Sequence, residues 1–217
     1  MQTVIFDLDG TLVDSAPDIR ASVNIMLAEE GFEELDLPTV ISFVGNGLPT
    51  LVRRVMAHFD IEDTQFSRLN ARVLAIYNAS TYEHTVLYNG LRDVLESLQA
   101  KGVRMGVCTN KPEEPARHVL KALNLTQYFD IVVGGDTYEK RKPDPMPLLK
   151  AIGKTALADV IYVGDSEVDA ETAQRAGVTF ALFTEGYRKT PVADIHHDKC
   201  FSSWSDFLAV VEGTQPA

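Results

Sequence analysis

The first strand and the residues that follow it constrain the fold most. The apolar run Thr3–Phe6 predicts a buried strand, and Asp7 and Asp9 come directly after it. Residues two apart in an extended chain point to the same side, so both carboxylates should meet at the strand's carboxyl end. Two buried anions repel each other, and a hard divalent cation such as Mg²⁺ would compensate them. The alternative is a strand that ends in an ordinary polar turn at Gly10, where Asp is also favoured.

Composition limits the classes of partner. The chain has 217 residues and a net charge of −11, which argues against a nucleic-acid groove or an anionic membrane surface. Its two cysteines provide no disulfide framework, and no apolar run approaches the length of a membrane span. No signal peptide is visible. We therefore expect a cytoplasmic protein that binds neither nucleic acid nor membrane, as a monomer or a homodimer.

The pattern of elements predicts an α/β fold with an insertion. Residues 14–87 show helical periodicity, and no strand is predicted there. From residue 88 onward, strands alternate with helices, which predicts a Rossmann-like parallel sheet with helices on both faces. The expected organisation is a core domain of residues 1–13 and 88–217, interrupted by a helical domain of residues 14–87.

Polar residues follow each predicted strand of the core. Ligands bind at the carboxyl ends of strands in such sheets, so these residues are candidates for a site. Taken singly, each has an ordinary explanation: a threonine can cap the next helix, and a lysine in a charged loop is normally solvated. The candidates after the later strands are Thr109, Asn110, Lys142, Asp165, Ser166 and Asp169.

Taken in order, these positions resemble the four motifs of the haloacid dehalogenase superfamily. The motifs are Asp-x-Asp at Asp7 and Asp9, a threonine at Thr109, a lysine at Lys142, and Gly-Asp-Ser-x-x-Asp around Asp165. The resemblance implies an aspartate nucleophile at Asp7 and an acid/base at Asp9. It also implies Mg²⁺ held by Asp7, the backbone carbonyl of Asp9, and Asp165.

The resemblance assigns roles to the remaining candidates as well. Thr109 and Asn110 would hold phosphoryl oxygens, and Lys142 would neutralise charge on the phosphate and the nucleophile. Ser166 and Asp169 would act behind the metal site, where Asp169 would orient Lys142 or the metal's waters. The implied activity is hydrolysis of a phosphate ester through an aspartyl-phosphate.

The helical insertion resembles the cap domains that this superfamily places after its first motif. A cap that closes over the site favours a small phosphorylated metabolite. Segments such as Phe43–Gly47 and Thr109–Pro112 are similar to those of bacterial phosphoglycolate phosphatases, which implies 2-phosphoglycolate as the substrate. Asn46, the Gly47 amide and Arg53 are then expected to bind the substrate's carboxylate.

Other functions fit the same motifs. A mutase similar to β-phosphoglucomutase would share the nucleophile and the acid/base, and would return the phosphoryl group to a sugar. A pyrophosphate or nucleotide phosphatase belongs to the same class of enzyme. A non-catalytic binding module could use the fold alone, although it would not need both Asp7 and Asp9.

Overall fold

The computed structural model describes residues 2–80 and 82–212; Met1, Thr81 and residues 213–217 of the expected domain ranges lie outside them. A parallel sheet of six strands, in the order β5-β4-β1-β6-β7-β8, forms the centre of this part of the chain. The expected α/β class is confirmed. The strands are β1 (Thr3–Phe6), β2 (Val13–Asp14), β3 (Val86–Leu87), β4 (Arg104–Cys108), β5 (Ile131–Val133), β6 (Val160–Gly164), β7 (Thr179–Phe183) and β8 (Lys199–Phe201).

Helices fall into an insertion and a core group. We call α1–α4 the helical insert, because they lie between β2 and β3, whereas α5–α9 alternate with the strands of the large sheet. The helices are α1 (Ala16–Glu29), α2 (Leu37–Phe43), α3 (Leu48–His58), α4 (Phe66–Ala79), α5 (Leu91–Ala100), α6 (Glu113–Ala122), α7 (Met146–Ile152), α8 (Glu167–Ala176) and α9 (Trp204–Glu212). None of these helices combines the length and the apolar composition that crossing a bilayer requires.

Alternate side chains of β1 pack into two different cores. Phe6 is fully buried and contacts the aromatic rings of Trp204 and Phe207 on α9. Ile5 points to the opposite face, where it joins the apolar cluster that includes residues of α7 and α8. Burial on both faces explains the continuous apolar sequence of β1 and fixes it at the middle of the sheet.

Two strand predictions need correction. Residues 14–87 were expected to contain no strand, but β2 and β3 pair with each other in an antiparallel two-stranded sheet at the ends of this segment. Their length of two residues is too short to give a periodic pattern. The sequence also gave no prediction for β8, which is a short edge strand with one exposed residue, Cys200.

The aromatic cluster beneath β1 should dominate core stability. We expect Phe207→Ala to lower the free energy of unfolding by about 3–5 kcal/mol, because it leaves a cavity beside Phe6 and Trp204. Urea denaturation measures this change. The control Ile25→Ala, on a residue of α1 that is 48% exposed, should cost less than about 1 kcal/mol. Equal effects of the two substitutions would contradict this assignment of the core.

Candidate active site

Three carboxylates converge at the carboxyl ends of β1 and β6. Asp7 follows β1, while Asp165 and Asp169 follow β6, and each offers an oxygen within 4.8 Å of the other two. The chain reaches β4 and β5 on one side of β1 and then returns to β6 on the other side. The carboxylates therefore lie at the switch point of the sheet, where open α/β folds bind their ligands.

Asp7 is buried, and the contacts that hold its side chain are made by one of its own carboxylate oxygens, Oδ1. Its Oδ1 accepts a hydrogen bond of 2.7 Å from the Leu8 N–H and lies 3.0 Å from the Lys142 ammonium. Burial raises the pKa of Asp7 to about 7, because the loss of hydration outweighs the attraction of Lys142. The carboxylate can therefore exchange a proton for a metal ion near neutral pH.

Asp165 is surrounded by neutral hydrogen-bond donors. The Thr11 hydroxyl donates to its Oδ1 at 2.7 Å, and the Tyr187 N–H donates to its Oδ2 at 2.6 Å. Burial, followed by repulsion from Asp169 and Asp7, raises the pKa of Asp165 well above its ordinary value. A positive charge from outside the protein would relieve this repulsion.

Glycine allows the backbone to approach Asp165. A Cβ built on Gly10, which has a φ of +85°, would lie 2.5 Å from the Asp165 Oδ2. A Cβ on Gly186 would lie 2.4 Å from the Asp165 Cβ and 2.3 Å from the Gly10 carbonyl oxygen. Two glycines therefore leave the space that this carboxylate occupies.

Asp169 is compensated by the protein itself. Its Oδ1 accepts hydrogen bonds of 2.7 Å from both Lys142 and the Tyr162 hydroxyl, and its Oδ2 accepts one of 2.7 Å from Ser166. Burial opposes ionisation, but the Lys142 ammonium and these hydrogen bonds outweigh it and lower the pKa of Asp169. Asp169 and Ser166 therefore position Lys142 and the start of α8.

Asp7 and Asp165 form the part of the site that suits a metal ion. Both are buried carboxylates whose raised pKa values reflect insufficient compensation by positive charge. Carboxylate oxygens are the ligands that Mg²⁺ prefers. Asp169 is already saturated by protein donors, so we expect it to contribute less than the other two carboxylates to a metal site.

Asp9 lines the same cavity as Asp7 and Asp165 but contacts a different set of residues. Lys111 donates to its two oxygens at 2.9 and 3.2 Å, and the Ser15 hydroxyl donates to Oδ1. The Lys111 ammonium also lies 4.3 Å from the centre of the Tyr77 ring on α4. Asp9 is therefore held at the boundary between the core and the helical insert.

Thr109 and Asn110 come from the end of β4, as their sequence positions indicated. The Thr109 N–H is satisfied by the Val133 carbonyl at 2.9 Å, and both Thr109 and Asn110 line the same cavity as Asp7. The Asn110 side-chain amide donates to the carbonyls of Gly45 and Lys142, each at 3.1 Å. Asn110 thus links the loop that carries Lys142 to the helical insert.

The insert covers the carboxylates and encloses a cavity of about 260 Å³. Asn46 and Gly47 line it, and a Cβ on Gly47 would lie 2.8 Å from the Asn110 carbonyl oxygen. This close approach requires glycine, which also adopts a φ of +81° here. Much of the remaining wall is apolar and comes from the insert: Ile19, Val44, Leu48, Leu51, Val73, Leu74 and Tyr77.

The structure does not place Arg53 in the cavity. Its side chain is 51% exposed, forms an ion pair with Asp63 and stacks 3.7 Å from the Phe66 ring, away from the cavity. Arg54 lines the cavity instead, where it donates to the Phe43 carbonyl at 2.8 Å and to Asn46 at 2.9 Å. Consecutive residues of an α-helix point about 100° apart, so an error of one position turns the side chain from the cavity to the solvent-exposed side of α3.

Several residues of the cavity have no role predicted from the sequence. Lys111 lies within a motif that was recognised, but nothing in the sequence indicated that it reaches Asp9. Tyr187 and Lys189 follow β7, beyond the last motif; the Tyr187 hydroxyl accepts hydrogen bonds from the N–H groups of Ser15 and Ala16, and its own N–H binds Asp165. A search of every predicted strand end, including that of β7, would have included both residues.

Comparisons with known proteins agree on one family. Residues 4–183 match the haloacid dehalogenase-like hydrolase family. The phosphoglycolate phosphatase of Cereibacter sphaeroides (strain ATCC 17029) is 47% identical over 204 residues, which cover 93% of this chain and 94% of the relative. The phosphoglycolate phosphatase of Rhodobacter capsulatus is 41% identical over 212 residues, with coverage of 97% and 96%.

A solved structure gives the same result. The crystal structure of a predicted phosphoglycolate phosphatase from Haemophilus somnus 129PT superposes with a TM-score of 0.90 at 28% identity and covers 96% of each chain. The likeness therefore extends over the core and the helical insert together.

Metal binding should depend on Asp165. Mg²⁺ at about 100 times its Kd should stabilise the protein by about 2.7 kcal/mol, since it binds the folded state alone. Asp165→Asn should abolish this effect without reducing stability in chelator, because it removes a poorly compensated buried charge. Thermal unfolding with Mg²⁺ and with chelator measures both. The control Asp93→Asn, at an exposed position, should keep the full response to Mg²⁺.

The response to Mg²⁺ should also depend on pH. With its pKa at about 7, Asp7 binds a proton more readily as the pH falls below 7, and that proton competes with the metal. The apparent Kd for Mg²⁺ should therefore rise from pH 8 to pH 6, by at most about tenfold per pH unit for one proton. Calorimetric titration measures it, and a Kd that is constant over this range would contradict the prediction.

Proposed function

The chain belongs to the haloacid dehalogenase-like hydrolases and is a phosphoric monoester hydrolase; from this premise, we propose that it hydrolyses 2-phosphoglycolate through an aspartyl-phosphate on Asp7. The observation that carries the proposal is that Asp7 and Asp165 line one cavity of about 260 Å³, with the Lys142 ammonium 3.0 Å from Asp7. The names of the relatives support the choice of substrate.

Asp7 is suited to be the nucleophile. Leu8 and Lys142 bind its Oδ1, which leaves Oδ2 without a hydrogen bond to any described residue. In the first step, the free oxygen attacks phosphorus and the bond between phosphorus and the ester oxygen breaks. Because Asp7 accepts the phosphoryl group, one difficult displacement becomes two easier ones.

Asp9 is suited to transfer the protons. It would donate a proton to the leaving alkoxide in the first step and take one from the attacking water in the second. The second step breaks the bond between phosphorus and Asp7, releases inorganic phosphate, and regenerates the Asp7 carboxylate and the protonated form of Asp9. Ser15 and Lys111 hold the Asp9 side chain, so its carboxyl group can serve as an acid and a base while its backbone carbonyl would hold the metal.

The remaining strand-end residues bind the phosphoryl group. Lys142 carries a positive charge, because Asp169 and Asp7 raise its pKa in spite of burial, which acts in the opposite direction. Thr109 and the backbone amide of Asn110 would hold phosphoryl oxygens in the same cavity. Asp7, Asp165 and the backbone carbonyl of Asp9 would hold Mg²⁺, which supplies positive charge against the repulsion between the nucleophile and the phosphate.

The helical insert acts as the cap in this proposal. Its loop at residues 44–47 contacts the core through the Gly45 carbonyl, which accepts from Asn110, and the Val44 carbonyl, which accepts from Lys189 at 2.8 Å. Asn46 and Gly47 then line the cavity on the substrate side. The apolar wall excludes water from the aspartyl-phosphate until the second step.

A panel of phosphate esters tests the function. We expect phosphate release to be concentrated on 2-phosphoglycolate, to require Mg²⁺, and to fall by roughly 1,000-fold or more in Asp7→Asn. The exposed control Asp93→Asn should retain full activity. Transfer of phosphate to a sugar would favour a mutase. Phosphate release mainly from pyrophosphate or nucleotides would show that 2-phosphoglycolate is not the preferred substrate. A folded protein without any phosphate release would contradict catalysis.

The covalent intermediate can be tested separately. p-Nitrophenyl phosphate has a good leaving group, so its first step needs little help from an acid, whereas the second step still needs a base. Asp9→Asn should therefore accumulate a phosphoryl group on Asp7, which mass spectrometry of the acid-quenched protein detects. Absence of this adduct under turnover, with hydrolysis still measurable, would contradict the aspartyl-phosphate.

A further inference from the structure

Lys111 is a buried cation with no role in the proposed mechanism beyond its contact with Asp9. Its side chain is 5% exposed, and it lines the cavity between Asp9 in the core and Tyr77 in the insert. Burial acts to lower the pKa of Lys111, but the Asp9 carboxylate outweighs it and raises the pKa above the ordinary value, so the ammonium stays charged. A buried lysine is costly, and one that lines a binding cavity can interact with a substrate.

The geometry of the reaction determines which cation can reach the rest of the substrate. Asp9 must contact the ester oxygen in order to protonate it. In 2-phosphoglycolate, the carboxylate carbon is two covalent bonds, about 2.5 Å, from that oxygen. A group that binds this carboxylate must therefore lie within a few ångströms of Asp9. The Lys111 ammonium lies 2.9 Å from the Asp9 Oδ1.

Two other cations line the cavity, but they are held elsewhere. Arg54 donates to Phe43 and Asn46, and Lys189 donates to the Val44 carbonyl. These contacts keep both cations on the loop at residues 44–47, and among the described residues neither forms a salt bridge or hydrogen bond with Asp9. For a substrate as short as 2-phosphoglycolate, Lys111 is the better placed.

We propose that Lys111 is the specificity-determining residue of this enzyme, and that its ammonium binds the carboxylate of the leaving group next to Asp9. The inference rests on the proposed function, since it concerns the same cavity and the same substrate class. Ester substrates with an uncharged group in place of the carboxylate would leave Lys111 paired with Asp9 alone.

Tyr77 completes the proposed carboxylate site. It is 5% exposed and lines the cavity, and its hydroxyl has no hydrogen-bond acceptor among the described residues. The Lys111 ammonium beside it can only donate, and buried hydroxyl groups normally also find an acceptor, so this one at the border of a cavity points to an anionic ligand. The ring lies against the Lys111 ammonium, and the hydroxyl can donate to a carboxylate held by that ammonium.

The test compares two substrates that differ in one charge. The phosphate ester of glycolamide has the size of 2-phosphoglycolate but carries a neutral amide, and the ratio of the two kcat/KM values isolates recognition of the carboxylate. Lys111→Met should reduce this ratio by roughly 30- to 1,000-fold, chiefly through KM for 2-phosphoglycolate. Lys111→Arg, which keeps the charge, should retain most of the ratio, and Lys189→Met should leave the ratio unchanged.

The outcomes separate this inference from the proposed function. If Lys111→Met slows both esters equally, Lys111 only positions Asp9 and the inference fails while the function stands. If Lys189→Met reduces the ratio of the two kcat/KM values and Lys111→Met does not, the substrate carboxylate binds near the loop at residues 44–47. That result would also overturn the inference about Lys111. Wild-type protein that hydrolyses both esters equally well would contradict the choice of substrate itself. Lys111→Gln serves as a second uncharged variant if Lys111→Met does not fold.

Discussion

Buried negative charge at the end of β1 is the constraint on which the rest of the site depends. Asp7, Asp165 and Asp169 bring carboxylate oxygens within 4.8 Å, and the Lys142 ammonium contacts Asp7 and Asp169 but not Asp165. Asp169 is fully compensated, whereas Asp165 receives only neutral donors. The fold therefore holds one carboxylate as a support for Lys142 and leaves the others in need of an external cation. Repulsion among these carboxylates destabilises the folded protein, and the same repulsion would favour the binding of a divalent cation.

The sheet can hold these charges because its backbone supplies both space and donors. Parallel strands bring residues that are distant in sequence to one edge, where Thr11 and the Tyr187 N–H reach Asp165 from opposite ends of the chain. Glycines at positions 10 and 186 leave the space that the Asp165 side chain occupies at that edge. Tyr187 also links the metal-binding end to the insert, since its hydroxyl accepts from backbone N–H groups at the start of α1.

The sequence predicted the positions of the strand-end residues better than the contacts across the cavity. Asp7 and Asp165 were placed correctly beside each other because alternation and strand order determine where a residue after a strand lies. Arg53 was placed wrongly because helical phase depends on packing, and a shift of one residue exchanges Arg53 with Arg54. The contact between Lys111 and Tyr77 joins a core loop to α4, and no local pattern in the sequence encodes such a pairing.

In the proposed mechanism, substrate recognition and proton transfer would depend on one cluster of side chains in this cavity. Asp9, which would move the protons, is bonded to Ser15 at the start of the insert and to Lys111, which itself lies against Tyr77 of the insert. A substrate carboxylate that binds Lys111 would alter the surroundings of Asp9 at the moment when the ester oxygen needs a proton. Substrate selectivity and reaction rate would then both depend on the Lys111 ammonium. An enzyme that acts on a different leaving group would need another partner for Asp9 as well as a different binding pocket.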